Sequence, residues 1–359
     1  MQFLESYSPP VVSADREMEF AALSEELVDK RVVFVGERHD HYDHHLNQLA
    51  VLRLMHQQDP NLSIGVEWFQ QPFQHVLDDY LSGELDEAEL LKQSGYYERW
   101  RYDFRLLRPI MEYAKTHNLP IVALNAPMEI TRKVSAEGMG ALSKEERQQI
   151  PQTIHPPQDG YRKYLKAVFD DHMGGTGDFD SFVLIQRIWD ETMAANIVRH
   201  LQAHPKQRMI VFAGSGHVAK DTAIPTDVAR SLPELPLATL HSAARDELEP
   251  ETFDYFILSE ELSLPPTGRL GVWLEDHTDG DIYVAVRKLA EESAAGEAGM
   301  LSGDRFIKVD GEIVQSTADI LFVLAGTRRG EKVDVEFSRF EDEANSAEPV
   351  IMRKTVTLQ

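Results

Sequence analysis

The chain has 359 residues, 42% of them hydrophobic, enough for two domains with real cores. Its 36 basic and 60 acidic residues give a formal charge of -24, which repels phosphate backbones and anionic bilayers and excludes nucleic acid as a partner. The absence of cysteine excludes disulfides, thiolate metal sites and cysteine nucleophiles. No run approaches the ~20 apolar residues of a membrane span. The first ten residues, MQFLESYSPP, lack the basic, apolar, small order of a signal peptide, so the expectation is a cytoplasmic chain or one whose leader has been removed.

Between residues 31 and 262 strand and helix signals alternate. Apolar runs at Arg31–Gly36, Ser63–Glu67, Pro120–Leu124, Met209–Ala213, Leu237–Leu240 and Phe253–Leu258 read as strands. Most lack period-two alternation, as expected when helices cover both faces of a parallel sheet. Helical spacing falls at His44–Gln57, Pro72–Leu81, Asp86–Gln93, Leu106–His117 and Asp180–His204. This order predicts an α/β domain, a layered and mostly parallel sheet with helices on both faces. Residues 152–177, rich in Pro, Gly and aromatics, read as a lid over a site or as a surface excursion. At Leu264-Pro265-Pro266-Thr267-Gly268 the pattern changes to short strands with tight turns. The expected division is residues 1–262, a linker at 263–268, and a small β-rich domain over 269–359.

Two Gly-x-x-His motifs, Gly36-Glu37-Arg38-His39 and Gly214-Ser215-Gly216-His217, each follow an apolar strand. Composition alone predicts about 0.8 such motifs by chance, so the strand context carries the signal. Glu67 closes the second strand and Asn125 the third, and in parallel sheets ligands collect beyond the carboxyl ends. Four polar side chains on four strand ends read as one shared site. No HExxH, Walker or Gly-x-Ser-x-Gly signature is present. His39, His217, Glu37 and Glu67 can hold a divalent metal with one open position, or act as general base and acid around a water. His41 and His45, four apart, would share a helix face suited to a metal or a macrocycle edge; an exposed polar loop is the alternative. Tyr96 to Arg105 interleaves aromatics with arginines. It suits a flat ligand bearing carboxylates, or is an amphipathic turn with its aromatics in the core. Trp189 and Met193 read as core, whereas Asp190 or Glu191 could reach the site.

Arg269-Leu270-Gly271-Val272 and the run from Glu297 to Gly311 (EAGMLSGDRFIKVDG) resemble the carboxylate-binding loop and signature of a bacterial PDZ domain over residues 269–359. Asp310-Gly311 is a hairpin turn pair, and Thr317 to Leu324 has the spacing of a helix beside a groove. The resemblance implies binding of an extended or C-terminal peptide by strand addition, with Leu270, Gly271 and Val272 at its carboxylate; a fold kept for packing or dimer formation is the alternative.

Gly36-Glu37-x-His39 with His44-His45, Gly65-Val66-Glu67, Leu124-Asn125-Ala126-Pro127, the run Trp189 to Ala194 and Gly214-x-Gly216-His217 together resemble the ChaN-like haem-binding lipoproteins. These belong to a superfamily shared with Tiki proteases, TraB-type proteins and erythromycin esterases. The resemblance covers roughly residues 30–245. It implies an iron-regulated protein of the bacterial envelope, periplasmic or lipid-anchored, that takes part in haem and iron uptake as a homodimer with haem between subunits and tyrosine on the iron. His39, His44, Tyr97, Tyr102, Arg101, Asn125 and His217 are then the haem-binding set. Tyr102 is the first choice of ligand and Tyr97 the second, with Tyr161 and Tyr164 as alternatives; where family members often carry a tyrosine before an Arg-Pro pair, this chain has Leu107. The superfamily equally implies a rival, a metal-dependent or His/Glu-dependent hydrolase. In it His39, Glu67 and His217 bind a divalent metal or activate water, assisted by Glu37.

Overall fold

A computed structural model of the chain describes residues 7–13, 16–173, 176–278, 281–340 and 349–359. The chain divides into two compact units, residues 1–94 with 106–263, and residues 95–105 with 264–359.

The first unit is built on an eight-stranded sheet. Its strands are β1 (Val11–Ser13), β2 (Glu17–Met18), β3 (Val32–Glu37), β4 (Leu62–Gln70), β5 (Ile121–Asn125), β6 (Arg208–Gly214), β7 (Leu237–Ala243) and β8 (Tyr255–Leu258), in the order β2-β1-β8-β7-β3-β6-β4-β5. The six strands from β3 to β8 pair in parallel, and β1 and β2 close one edge antiparallel. Every residue of β3, β4 and β6 is buried, the two-sided cover that their unbroken apolar runs demand. Phe34, Leu124, Met193, Ile197 and Val211 meet in one core, each side chain contributing about 1.5–3 kcal/mol by leaving water.

From β3 the chain crosses to β4 on one side, and from β6 it returns to β7 on the other, so β3 and β6 flank the switch point where open α/β sheets bind ligands. Their register pairs Gly36 with Ala213 and Glu37 with Gly214, which sets the two Gly-x-x-His motifs side by side at the same rim. The turn beyond β6 is possible because Gly36 has no side chain: a Cβ there would stand 3.0 Å from the Ser215 backbone.

Two sequence expectations need correction. Glu67 does not close its strand, since β4 runs on to Gln70 after a register shift beyond Val66. The edge strands β1 and β2 went unseen because runs of two and three residues carry no periodicity. Of the stretch 152–177, Asp159–Met173 is a helix, and residues 174–175 lie outside the described residues.

The second unit is an antiparallel sheet of β9 (Val272–His277), β10 (Tyr283–Leu289), β11 (Arg305–Val309), β12 (Glu312–Ile313), β13 (Lys332–Arg339) and β14 (Val350–Thr357), ordered β14-β13-β11-β10-β9 with β12 on β11. Asp310 and Gly311 both take positive φ, 51° and 85°, as the turn between β11 and β12 requires. The helix Thr317–Ala325 opens with a capping box from Ser316 and Asp319 and buries Ile320 and Leu324 against the sheet.

Candidate functional site

At the end of β3 the Glu37 carboxylate is 2% exposed and lies between two imidazoles, 2.7 Å from His39 Nδ1 and 2.8 Å from His45 Nε2. Burial alone would raise its pKa, but His45 and His39 hold it well below the usual carboxylate range. His45 is fixed in turn by Gln48, whose amide donates to the Val35 carbonyl. Burial opposes charge on His39, yet its bond to Glu37 raises its pKa above the ordinary value.

At the end of β6 the Gly214 amide donates to Glu67 Oε2 at 2.7 Å. The next turn, Ser215–Val218, carries His217, with Nδ1 2.6 Å from Asp190 Oδ1 and Nε2 3.6 Å from Glu67 Oε1. Against the cost of burial, Glu67 and Asp190 lift the His217 pKa to about 9. Asp190 also accepts from the Tyr161 hydroxyl at 3.0 Å and from Arg187 at 3.1 Å. His39 reaches the same spot from the other side: a Cβ on Gly214 would stand 2.8 Å from its Cε1, 3.2 Å from its Nε2 and 3.7 Å from Glu67 Oε2. Gly216 admits a third group, since a Cβ there would meet the Tyr164 hydroxyl at 2.6 Å.

Each histidine therefore has its Nδ1 held by a buried carboxylate, the outer arrangement that orients imidazoles at metal sites and in proton transfer. His39, Glu67 and His217, expected to converge, do so, with Tyr164 beside them. The sequence offers Asp190 and Glu191 equally, because on a helix each is one acid among several. Only the fold brings Asp190, 27 positions away along the chain, to His217.

The other expected residues have other partners. Asn125 ends β5 but bonds the Glu67 carbonyl and the Ala126 amide, so it braces the backbone around Glu67. His44 accepts the Arg38 amide on Nδ1, which leaves a proton on Nε2 facing Asp43 at 3.7 Å. His41, Asp43 and His44 bring ligand atoms within 4.8 Å of one another. Asp43, however, already accepts from Ser259 and Leu262, and burial with the neighbouring His241 and His41 lowers the His44 pKa to about 3. This is a hydrogen-bonded structural cluster. Tyr97, Arg101 and Tyr102 belong to the second unit, and Leu107 is fully buried.

In that second unit Leu270, Val272, Trp273, Ile320, Leu324 and Tyr97 help line a cavity of about 510 Å³ beside the loop at 268–272. Gly271 has φ 70°, and a Cβ there would stand 2.9 Å from Ser293 Cα, so glycine is required. The Leu270 and Gly271 amides donate to no acceptor among the described residues, which leaves two N–H groups for a ligand carboxylate.

Paired histidines at the switch point of a parallel sheet, followed by a separate antiparallel unit with its own cavity, define a two-unit chain with a candidate site in each. The family model described as haem-binding uptake, Tiki superfamily, ChaN matches residues 23–228, and the chain belongs to that family. A PDZ domain model matches residues 268–348. A solved structure of ChaN of Campylobacter jejuni, described as showing cofacial haem binding, is 16% identical with a TM-score of 0.59. The match covers 71% of this chain and 98% of that one, and shows a shared fold. An erythromycin esterase mutant in its open conformation overlaps with a TM-score of 0.37 at 13% identity, over 67% of this chain and 79% of that one. The Arabidopsis thaliana protein RETICULATA-RELATED 5, chloroplastic, is 28% identical over 234 residues, 58% of this chain and 31% of that protein. The chain thus spans about a third of that relative's length.

Proposed function

We propose that the first unit binds haem at the rim formed by His39, Glu67, His217 and Tyr164, in haem or iron uptake, and that the second unit binds the C-terminal end of a peptide partner. The observation that carries the haem reading is the family membership over residues 23–228, joined to a strand-end rim whose donors suit iron. Imidazole and phenol are the iron-ligating groups of haem proteins. Tyr164 is 47% exposed, with its hydroxyl over Gly216, where a side chain would displace it. Burial, and then Glu249, raise its pKa, so the phenol keeps its proton until a cation displaces it. Tyr164 would hold the iron, and His39 and His217, oriented by Glu37 and Asp190, would face the ligand. Bound haem would supply a ferric centre and two carboxylates; His217, protonated at neutral pH, would donate a hydrogen bond to an anion.

Stoichiometric haemin should give the wild type a Soret band, with the tyrosinate charge-transfer band lost in Tyr164→Phe and affinity lowered in His39→Ala. An unchanged haemin spectrum on adding protein would end the haem reading. The reading extends to a homodimer sharing haem, checked by sedimentation with and without haemin, and to a place at the bacterial envelope, supported by the family resemblance and checked by cell fractionation.

A second reading, hydrolysis, is favoured by one contact set: Glu67 lies against both His217 and the Gly214 amide, as a water-activating carboxylate would. Peptide and ester turnover with and without chelator tests it, and turnover unaffected by Glu67→Gln would exclude the mechanism.

A further inference from the structure

The chain leaves the first unit at Ser94, runs through the second as Gly95–Arg105, and returns at Leu106. In this excursion Tyr97 is 6% exposed, the short helix Tyr96–Arg99 packs against Thr317–Ala325, and Arg105 donates to the Pro265 carbonyl at 2.8 Å. Tyr97, Arg101 and Asp103 line the same cavity as the carboxylate loop. They stand outside the segment matched as a PDZ domain, residues 268–348, so this groove has a wall that the domain itself does not supply.

The charges on that wall are unequal. Asp103 is held by the Arg105 guanidinium through contacts of 2.6 to 3.1 Å. Arg101 is exposed and has φ 71°; its backbone amide donates to the Tyr96 carbonyl and its side chain to the Glu98 carbonyl, at 3.4 Å, and it has no carboxylate partner among the described residues. Arg269, also in the cavity lining, has none among the described residues either. A chain of net charge -24 thus places two arginines without carboxylate partners in a largely apolar lining whose one acid, Asp103, is already paired with Arg105. Holding a non-glycine residue in the left-handed region costs roughly 1 kcal/mol, which marks Arg101 as a fixed feature of the wall.

We propose that Gly95–Arg105 is a selectivity wall of the peptide groove: the loop amides receive the terminal carboxylate of an extended peptide, its apolar last residue enters among Leu270, Ile320 and Leu324, and Arg101 pairs with an acidic side chain just upstream. This rests on the peptide-binding reading of the second unit. The occupant is an acidic C-terminal tail, chosen by charge and by the free N–H groups together.

The test uses the full chain and fluorescein-labelled octapeptides ending in valine or leucine, with Glu, Gln or Lys at each upstream position and with free or amidated C-termini. Wild type should bind a Glu peptide roughly five-fold more tightly than its Gln isostere at one upstream position, the scale of a solvent-accessible charge pair. Arg101→Gln should level that ratio and Arg101→Glu should invert it toward Lys, while amidation weakens binding to all three proteins. Arg269→Gln should weaken every free-acid peptide without altering the Glu/Gln ratio, which separates terminal from side-chain recognition. If peptides bind but the ratio is unchanged in both Arg101 variants of native thermal stability, the wall is refuted and peptide binding stands. If no free-acid peptide binds the wild type, both fall.

Discussion

Around His39 and His217 the charged groups are answered by one another: Glu37 by two imidazoles, Asp190 by His217, Tyr161 and Arg187, and Asp227 and Glu191 by Arg187. The cavity of the second unit is the reverse, a largely apolar lining in which Arg101 and Arg269 have no carboxylate partner and the Leu270 and Gly271 amides no acceptor among the described residues. The contrast separates two ways of making a site. One fixes the orientation of its reactive groups through buried pairs and leaves little adjustable. The other leaves donors open on a fold held by its own apolar core, so that the ligand completes the pairing.

The strongest way to break this contrast is Arg187→Leu. It leaves Asp190, Glu191 and Asp227 buried without their common cation, and a loss of about 3–5 kcal/mol is expected in urea unfolding. A loss below 1 kcal/mol would mean that the network is wetter than its burial implies. Gly214→Ala comes next. Its φ of -54° suits any residue, so the cost, about 1–3 kcal/mol, comes from the new Cβ pushing His39 off Glu37. The altered His39 titration should be visible by NMR.

Smaller again is the pH dependence. His217 titrates near 9 when folded against 6.5 ordinarily, so its charge stabilises fully below about pH 6.5, and that contribution disappears as pH rises through 9. It is expected to be on the order of 1–2 kcal/mol, and His217→Gln should flatten the alkaline limb of the stability profile. His44 and His241, lowered to about 3 and about 4, work in the opposite window: they stabilise above pH 6.5 as neutral groups, and that contribution is lost as pH falls toward 4 and 3. The smallest effect belongs to the open site, where Arg101→Gln should change stability by less than about 0.5 kcal/mol while removing acid selectivity. A large loss there would make Arg101 structural and erase the distinction.

Much of the first fold was legible because a doubly covered parallel sheet writes itself as unbroken apolar runs, and β3, β5 and β6 fall within a residue or two of their expected bounds. His39 and His217 were legible for the same reason, each following a strand end, whereas Glu67 lies inside β4 beyond its register shift. The parts that were not legible depend on tertiary approach. Asp190 on His217 and Tyr164 over Gly216 are choices a helix makes only when packed. Tyr97 and Arg101 read as part of a flat-ligand cluster because aromatic and arginine side chains carry the same local signal whether they stack on a macrocycle or line a cavity. Nothing local records which of two units a short segment will join.

That excursion bears on the order in which the molecule can be completed. Gly95–Arg105 leaves the ribosome about 160 residues before Leu264, so the groove's wall exists as unfinished surface while most of the first unit is still being made. Closing the second unit requires a long loop to be brought together, a step whose entropy grows with loop length and which favours late, slow formation. An excised fragment of residues 264–359 would fold without Tyr97 and Arg101. The cavity lined by Leu321, Ile320 and Leu324 would lose one side, and on the proposed reading the fragment would lose its preference for acidic peptides.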